Sequence, residues 1–307
     1  MYIETKRVVC VEEPFVSVYF DHNLNSLVTC TYSKDAKNRS GQLRILNKET
    51  LSDERKLELT SAAFHLEYVN DFYVAGLGDG RIVLFDPKTL QIQTDEPQPF
   101  AEQMITDAKV SSSNRVAITD ESGALRVYER ANSTVIFDLP KAHEVYGQSV
   151  NAWSCEFLNS NIIVSGGDDD QMKFWDLRVG GNKPTQISRS HSGGVVRIRK
   201  FGDNQLFTGS YDETFRCFDV RKFDEPLEHI KLDGGVWDFQ VQEDRILIAN
   251  MYGGWSIVDR QLRLNHHQPM TNSLVYGLTS ARDEPECVYC CSFTDGVLCA
   301  MKRNLIE

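Results

Sequence analysis

Short apolar runs separated by polar turns recur along this chain, and the clearest pair lies in and around Ser165 to Trp237. Ile162-Ile163-Val164 leads through Ser165-Gly166 into an Asp-containing turn, then into a second run that ends on Trp175-Asp176. Leu206-Phe207 does the same through Thr208-Gly209 and closes on Phe218-Asp219. Superposing the two aromatic-acid pairs also superposes Asp169 on Asp212 and Arg178 on Arg221. Each unit therefore reads as two strands joined by a hairpin, with Asp favoured in the turn because its side chain bonds nearby backbone amides.

The same turn position recurs as Ser40, Asp79, Ser122, Asp169, Asp212, Tyr252 and Asp295, at intervals of 39 to 47 residues. A glycine follows at Gly41, Gly80, Gly123, Gly253 and Gly296, the residue that a positive-φ turn position prefers. Period and terminal Trp-Asp match the WD-repeat signature, in which four strands make one blade. The expectation is an all-β, seven-bladed WD-repeat β-propeller forming one domain over 1–307. Its blades fall near 15–55, 56–97, 98–143, 144–191, 192–233, 234–273 and 274–307. The last supplies LVYGLTSA, CVYCCSFT and GVLCAMKR, three strands where four are needed. Within residues 1–12 a strand from Arg7 to Val11 has no local partner, so it is expected to complete that blade and remove an exposed edge. LSDERKLELT (51–60) and QTDEPQPFAEQ (93–103) read as solvated connections. The longest interruption, HEVYGQSVNAWS (143–154), places His143, Glu144, Tyr146 and Trp153 near a blade junction, where extra length usually serves binding.

Charge changes this picture by excluding partners. With 44 acidic against 33 basic residues the formal net charge is −11, which disfavours a nucleic-acid backbone and favours a cationic partner. No run approaches the ~18 apolar residues of a membrane span, and Glu4, Lys6, Arg7, Glu12 and Glu13 interrupt the place where a signal peptide needs its apolar core. A cytoplasmic protein with no membrane contact is expected. Its eight cysteines lie mostly inside strand-like runs, as reduced buried thiols do. Cys287-x-x-Cys290 has metal-like spacing but no second pair, so no metal is expected there.

Four segments are informative together: SGGDDD…FWDLR, TGSYDE…FDVR, GGVW (Gly234 to Trp237) and NSLVYG (Asn272 to Gly277). In combination they resemble the diphthine methyl esterase family of WD-repeat proteins, from about His143 to Gly277. Two departures are the insertion between His143-Glu144 and Trp153, and Tyr252-Gly253 where a repeat turn carries an acid. The resemblance implies a carboxylic-ester hydrolase of diphthamide biosynthesis that needs no cofactor. Its partner would be the translocation elongation factor carrying methylated diphthine on a histidine, and hydrolysis would free a carboxylate for later amidation. The alternative is a non-catalytic WD-repeat scaffold that docks proteins of the same or another pathway.

Ester hydrolysis needs an activated nucleophile and donors for the developing oxyanion. No G-x-S-x-G elbow occurs, which excludes a conventional α/β-hydrolase site. His191, Ser210 and Asp212 can form a Ser-His-Asp set, or His191 and Asp212 can pin the blade through hydrogen bonds. His143 can likewise belong to a network with Asp169, or, freed by the inserted loop, act as general base. Asp168-Asp169-Asp170 needs no metal to explain it, since Asp is a turn residue. The implied substrate carries a trimethylammonium group, which aromatic faces recognise. Trp153, Trp237 and Tyr276 begin the first strands of three blades, at positions expected to face a central channel, and Tyr252 sits in a turn; they form either a cage or core aromatics. Gly193-Gly194 and Gly234-Gly235 would let backbone N–H groups approach an oxyanion.

Overall fold

A computed structural model describes residues 2–10, 13–32, 40–69, 71–93, 101–132, 134–179, 183–270 and 272–303. Every regular element among them is a strand, and the strands form seven antiparallel sheets of the expected repeat, plus one two-stranded hairpin. This is the all-β, seven-bladed WD-repeat propeller class. The sheets span 15–59, 63–85, 105–139, 152–188, 195–231 and 238–268, and the seventh joins 275–303 to the N-terminal strand Tyr2–Val9. We number the repeats one to seven in that order. The second has three strands, with a bridge from Phe85 to Ile92 where a fourth would pair; residues 94–100, most of the expected second connection, lie outside the described residues.

Contacts group the chain into two compact units. Unit one comprises 1–78, 83–94 and 237–307, and so holds repeats one, two, six and seven. Unit two comprises 79–82 and 95–236, with repeats three, four and five.

Repeat seven is completed as expected, with a shifted strand. Tyr2–Val9 pairs antiparallel with Val297–Arg303 from Tyr2↔Arg303 to Val9↔Val297. The strand starts earlier than Arg7, and Val11 lies outside the described residues. Its exposed start explains the misplaced boundary: Ile3, Glu4 and Thr5 are all exposed and look unlike strand, yet an edge strand carries charge on its solvent side. The segment 51–60 needs the same correction. Asp53–Leu59 is the fourth strand of repeat one, bonded in register from Gly41↔Leu59 to Leu46↔Asp53, and its charges mark an edge.

The cores lie between successive sheets. Val28, Leu43 and Ile45 of repeat one pack with Leu66, Tyr73 and Ala75 of repeat two, and Phe15 and Leu27 pack with Tyr289 and Leu298 of repeat seven. In unit two, Leu125 and Val127 pack with Cys155 and Trp175, and Val164 and Phe174 with Ile198 and Phe218.

The turn glycines divide. Gly80, Gly123 and Gly296 have φ of 82°, 84° and 61°, but in repeat six the left-handed position is Gly254 (φ 86°) and not Gly253. In repeats four and five, Asp170 and Glu213 take it at 61° and 62°. At Gly123 a side chain is doubly excluded, since a Cβ would run into the carbonyls of His143 and Val150.

Candidate functional site

In unit two, the interruption at 143–154 is a projecting hairpin. Glu144–Val145 pairs with Gln148–Ser149, and the tip is Tyr146-Gly147 with φ of 51° and 79°, as a two-residue turn of this hand requires. Tyr146 is fully exposed. The Val150 amide donates to the His143 carbonyl at 3.2 Å, so the chain returns to the point from which it left. The insertion therefore does not loosen His143.

His143 is fully buried, with Nδ1 2.8 Å from Asp169 Oδ1 and Nε2 2.8 Å from Ser165 Oγ. Trp175 Nε1 donates to the same hydroxyl at 2.9 Å, and Lys173 Nζ lies 2.7 Å from Asp169 Oδ2. Burial lowers the His143 pKa despite Asp169, while His143 and Lys173 overcome burial to lower that of Asp169. Both ring nitrogens are committed, so the role foreseen for His143 as a base finds no nitrogen to offer water.

His191, Ser210 and Asp212 are neighbours without being a triad. His191 Nε2 is 3.0 Å from Thr208 Oγ1, and its buried Nδ1 has no hydrogen-bond partner. Ser210 Oγ donates to the Gly193 carbonyl at 2.9 Å. Asp212 is gripped by the Arg216 guanidinium at 2.9 and 2.7 Å and accepts from the Ser192 amide at 3.0 Å. Burial would raise the Asp212 pKa, but Arg216 takes it down to about 2; burial first, then the Arg216 charge, lowers His191 to about 3. No proton relay joins the three.

The aromatic candidates fall into two groups. In unit one, Trp237 is 5% exposed and stacks on Tyr276 at 4.3 Å and 15°, with Phe64 edge-on at 6.2 Å. Tyr276 stacks in turn on Phe293 at 5.0 Å, and burial pushes its hydroxyl up to about 12. Trp237 thus spends a face on Tyr276 and behaves as packing. Tyr252 is 67% exposed in its turn.

Trp153 belongs to a different cluster, in unit two. It sits at a β-bulge between Ala152 and Ser154 in the first strand of repeat four, the kind of irregularity that re-aims a side chain. Its Nε1 donates to Asp168 Oδ1 at 2.6 Å, and Asn151 Nδ2 donates to Asp168 Oδ2 at 3.0 Å. Tyr211 meets the Trp153 ring edge-on at 6.4 Å. Gly194 is required here, because a Cβ would come within 2.7 Å of Asp168 Oδ1 and 3.0 Å of Tyr211 Cδ2. All four polar or aromatic members are half-buried. Burial raises the Asp168 pKa against those two hydrogen bonds, and Asp170 is raised by burial and by Asp169, Asp168 and Asp212. The cluster is an acidic corner edged by two aromatic rings, with each Asp168 oxygen accepting one hydrogen bond. Sequence reading reached Trp153 but missed Asn151, Asp168 as an acceptor, and Tyr211. The available signal was the repeat alignment, which puts Asp168 opposite Tyr211.

Cys287 and Cys290 do not face each other. Residues three apart on a strand point to opposite faces; Cys287 packs with Tyr289 and Cys291, Cys290 with Val288 and Cys299.

No family model matches the chain. Among curated proteins it is similar to the diphthine methyltransferases of mouse (31% identical over 181 residues; 53% of this chain, 37% of the relative) and human (32% over 154 residues; 45% and 34%). The Saccharomyces cerevisiae diphthine methyltransferase matches at 26% over 245 residues, 64% of this chain and 57% of the relative. The aligned segment is thus little more than a third of the mouse and human relatives' own length. The resemblance read from the repeats is present in these comparisons.

Proposed function

We propose, from its likeness to the diphthine methyltransferases, that this protein acts in diphthamide biosynthesis as a hydrolase of the methyl ester of diphthine. Its substrate would be the modified histidine side chain on the translocation elongation factor, met in the cytosol. The observation that carries the reading is that likeness, found in mouse, human and yeast relatives.

Within this reading the corner at Trp153, Asp168 and Tyr211 receives the cationic side chain. An aromatic edge and face beside a carboxylate offer a trimethylammonium group about 0.5–2 kcal/mol per aromatic contact. Asp168, held by Trp153 and Asn151 and raised by partial burial, is the candidate base. It would take a proton from water while the water oxygen bonds to the ester carbonyl carbon. The bond from that carbon to the methoxy oxygen then breaks, the proton passes to the leaving group as methanol, and the carboxylic acid left behind releases its own proton to solvent to become the carboxylate. The Gly193-Gly194 backbone, which passes beside Asp168 and Tyr211, is the source of N–H donors for the oxyanion.

The test is incubation of the purified protein with methyl-esterified factor, following methanol release and the loss of one CH2 from the factor's mass. Asp168→Asn should lower turnover about 100-fold or more, by the usual range for general base catalysis, while losing one of its two accepted hydrogen bonds should cost only about 1–2 kcal/mol and leave the protein folded. A wild-type protein that binds the esterified factor and leaves the ester intact supports a docking propeller instead.

A further inference from the structure

The third strand of repeat seven, Val297–Arg303, lies antiparallel to Cys287–Ser292, and the register sets Cys290 directly opposite Cys299. Their sulfurs are 3.2 Å apart. Met270, which follows the last strand of repeat six, brings its Sδ to 3.8 Å from Cys290 Sγ. Both cysteines are buried, Met270 is half-buried, and all three belong to unit one.

This sulfur cluster borders a cavity of about 330 Å³ whose lining includes Cys299, Met270, Met301, Arg7 and Asp295. Asp295 Oδ2 accepts from Ser273 Oγ at 2.7 Å, while Oδ1 is buried with no hydrogen-bond partner. Arg7 Nη2 lies 3.8 Å from Asp295 Oδ2, so the cavity runs from this ion pair to a wall of thiol and thioether sulfur, which gives the sulfur cluster access to solvent.

We infer that Cys290, Cys299 and Met270 form a binding site for a soft monovalent d10 cation, copper(I). Two thiolates and a thioether are the donor set that selects copper(I) over oxygen-seeking ions. Structural zinc sites take four ligands, and the cluster provides three. Metal–sulfur bonds of about 2.3 Å require sulfur pairs no more than about 4.6 Å apart, and the separations of 3.2 and 3.8 Å meet that bound. Binding exchanges a thiol proton for the metal at each cysteine: the S–H bond breaks, a Cu–S bond forms, and the proton leaves to solvent with no change of oxidation state. The inference is independent of the esterase reading.

The experiment is an anaerobic titration of the reduced full chain with copper(I) against bicinchoninate as competing chelator, following the ultraviolet thiolate-to-copper band. One tight equivalent is expected in the wild type. Cys290→Ser and Cys299→Ser should each weaken it by about 100-fold and Met270→Leu by about 10-fold, in line with the ligand-shell sensitivity of metal sites. Cys287→Ser, on the opposite face of the same strand, should leave it unchanged. Absence of a tight equivalent in the reduced wild type overturns the site, as does an equal affinity in Cys290→Ser/Cys299→Ser, which means adventitious binding. Should the serine variants fail to fold, X-ray absorption on the loaded wild type decides: an all-sulfur shell supports the site, and a nitrogen or oxygen shell overturns it.

Discussion

Repeats four and five share a plan and use it differently. In repeat four, Asp169, His143, Ser165 and Trp175 form one connected chain of hydrogen bonds. In repeat five the equivalents are Asp212, His191, Thr208 and Phe218, and the chain is cut twice. Phe218 has no N–H to offer the hydroxyl, and Asp212 is turned to Arg216 instead of His191. The residue four past the turn Asp accounts for the second cut. Lys173 is a point charge that takes one carboxylate oxygen of Asp169 and leaves the other for His143. Arg216 presents a planar fork that occupies both oxygens of Asp212, a difference in geometry between two residues of equal charge. The orphaned Nδ1 of His191 is the consequence.

The largest expected effect comes from breaking the intact chain. His143→Ala removes a hydrogen-bond partner from both Asp169 and Ser165 and should cost about 2–4 kcal/mol, with Lys173 still compensating the carboxylate, whereas His191→Ala gives up one neutral bond and some packing, about 1–2 kcal/mol. Urea midpoints of the two variants test this, and equal losses would erase the distinction between the repeats.

Next comes pH. The folded pKa of His191 lies near 3, below its ordinary 6.5, so the unfolded chain takes up the proton first as pH falls. Stability contributed by the neutral ring is full above about pH 6.5 and declines toward pH 3, at no more than about 1.4 kcal/mol per pH unit. His191→Gln should flatten the slope of the melting temperature between pH 6.5 and 4; an unaltered slope would assign the acid sensitivity elsewhere.

Trp175→Phe makes repeat four resemble repeat five by deleting the donor to Ser165, at about 1–2 kcal/mol for the bond and the lost ring volume. A neutral result in thermal unfolding would mean that Ser165 is held well enough by His143. The smallest effect is Arg216→Lys, expected within about 1 kcal/mol in stability. It should release one Asp212 oxygen toward His191, and the ring resonances should then titrate at a higher pH. Ring resonances that titrate as before would show that the fork is not what separates the pair.

The inserted hairpin shows how far local pattern carries. Its length was visible in the spacing of the turns, and so was a junction worth attention. Its effect on His143 was not, because a bond between Val150 and the His143 carbonyl, seven residues apart in sequence but adjacent in space, decides it. Trp153 was legible as the start of a strand; its partnership with Asp168 and Tyr211 depends on a bulge and on a glycine in the next repeat. Trp237 and Tyr276 looked equivalent to it by position and proved to be stacked on each other.

Repeat number and the completion of repeat seven were legible in the sequence alone, since turn chemistry, the turn period and a missing fourth strand are local or countable properties, whereas the fourth strand of repeat one, Asp53–Leu59, was not, because its charges hide an edge strand. Tertiary structure alone decided which donor each buried carboxylate accepts. It also decided which sulfurs meet and which aromatic faces are spent on packing. Those outcomes are set by hydrogen-bond angles and side-chain shape among residues up to dozens of positions apart, where an Arg in place of a Lys changes the partner without changing the pattern.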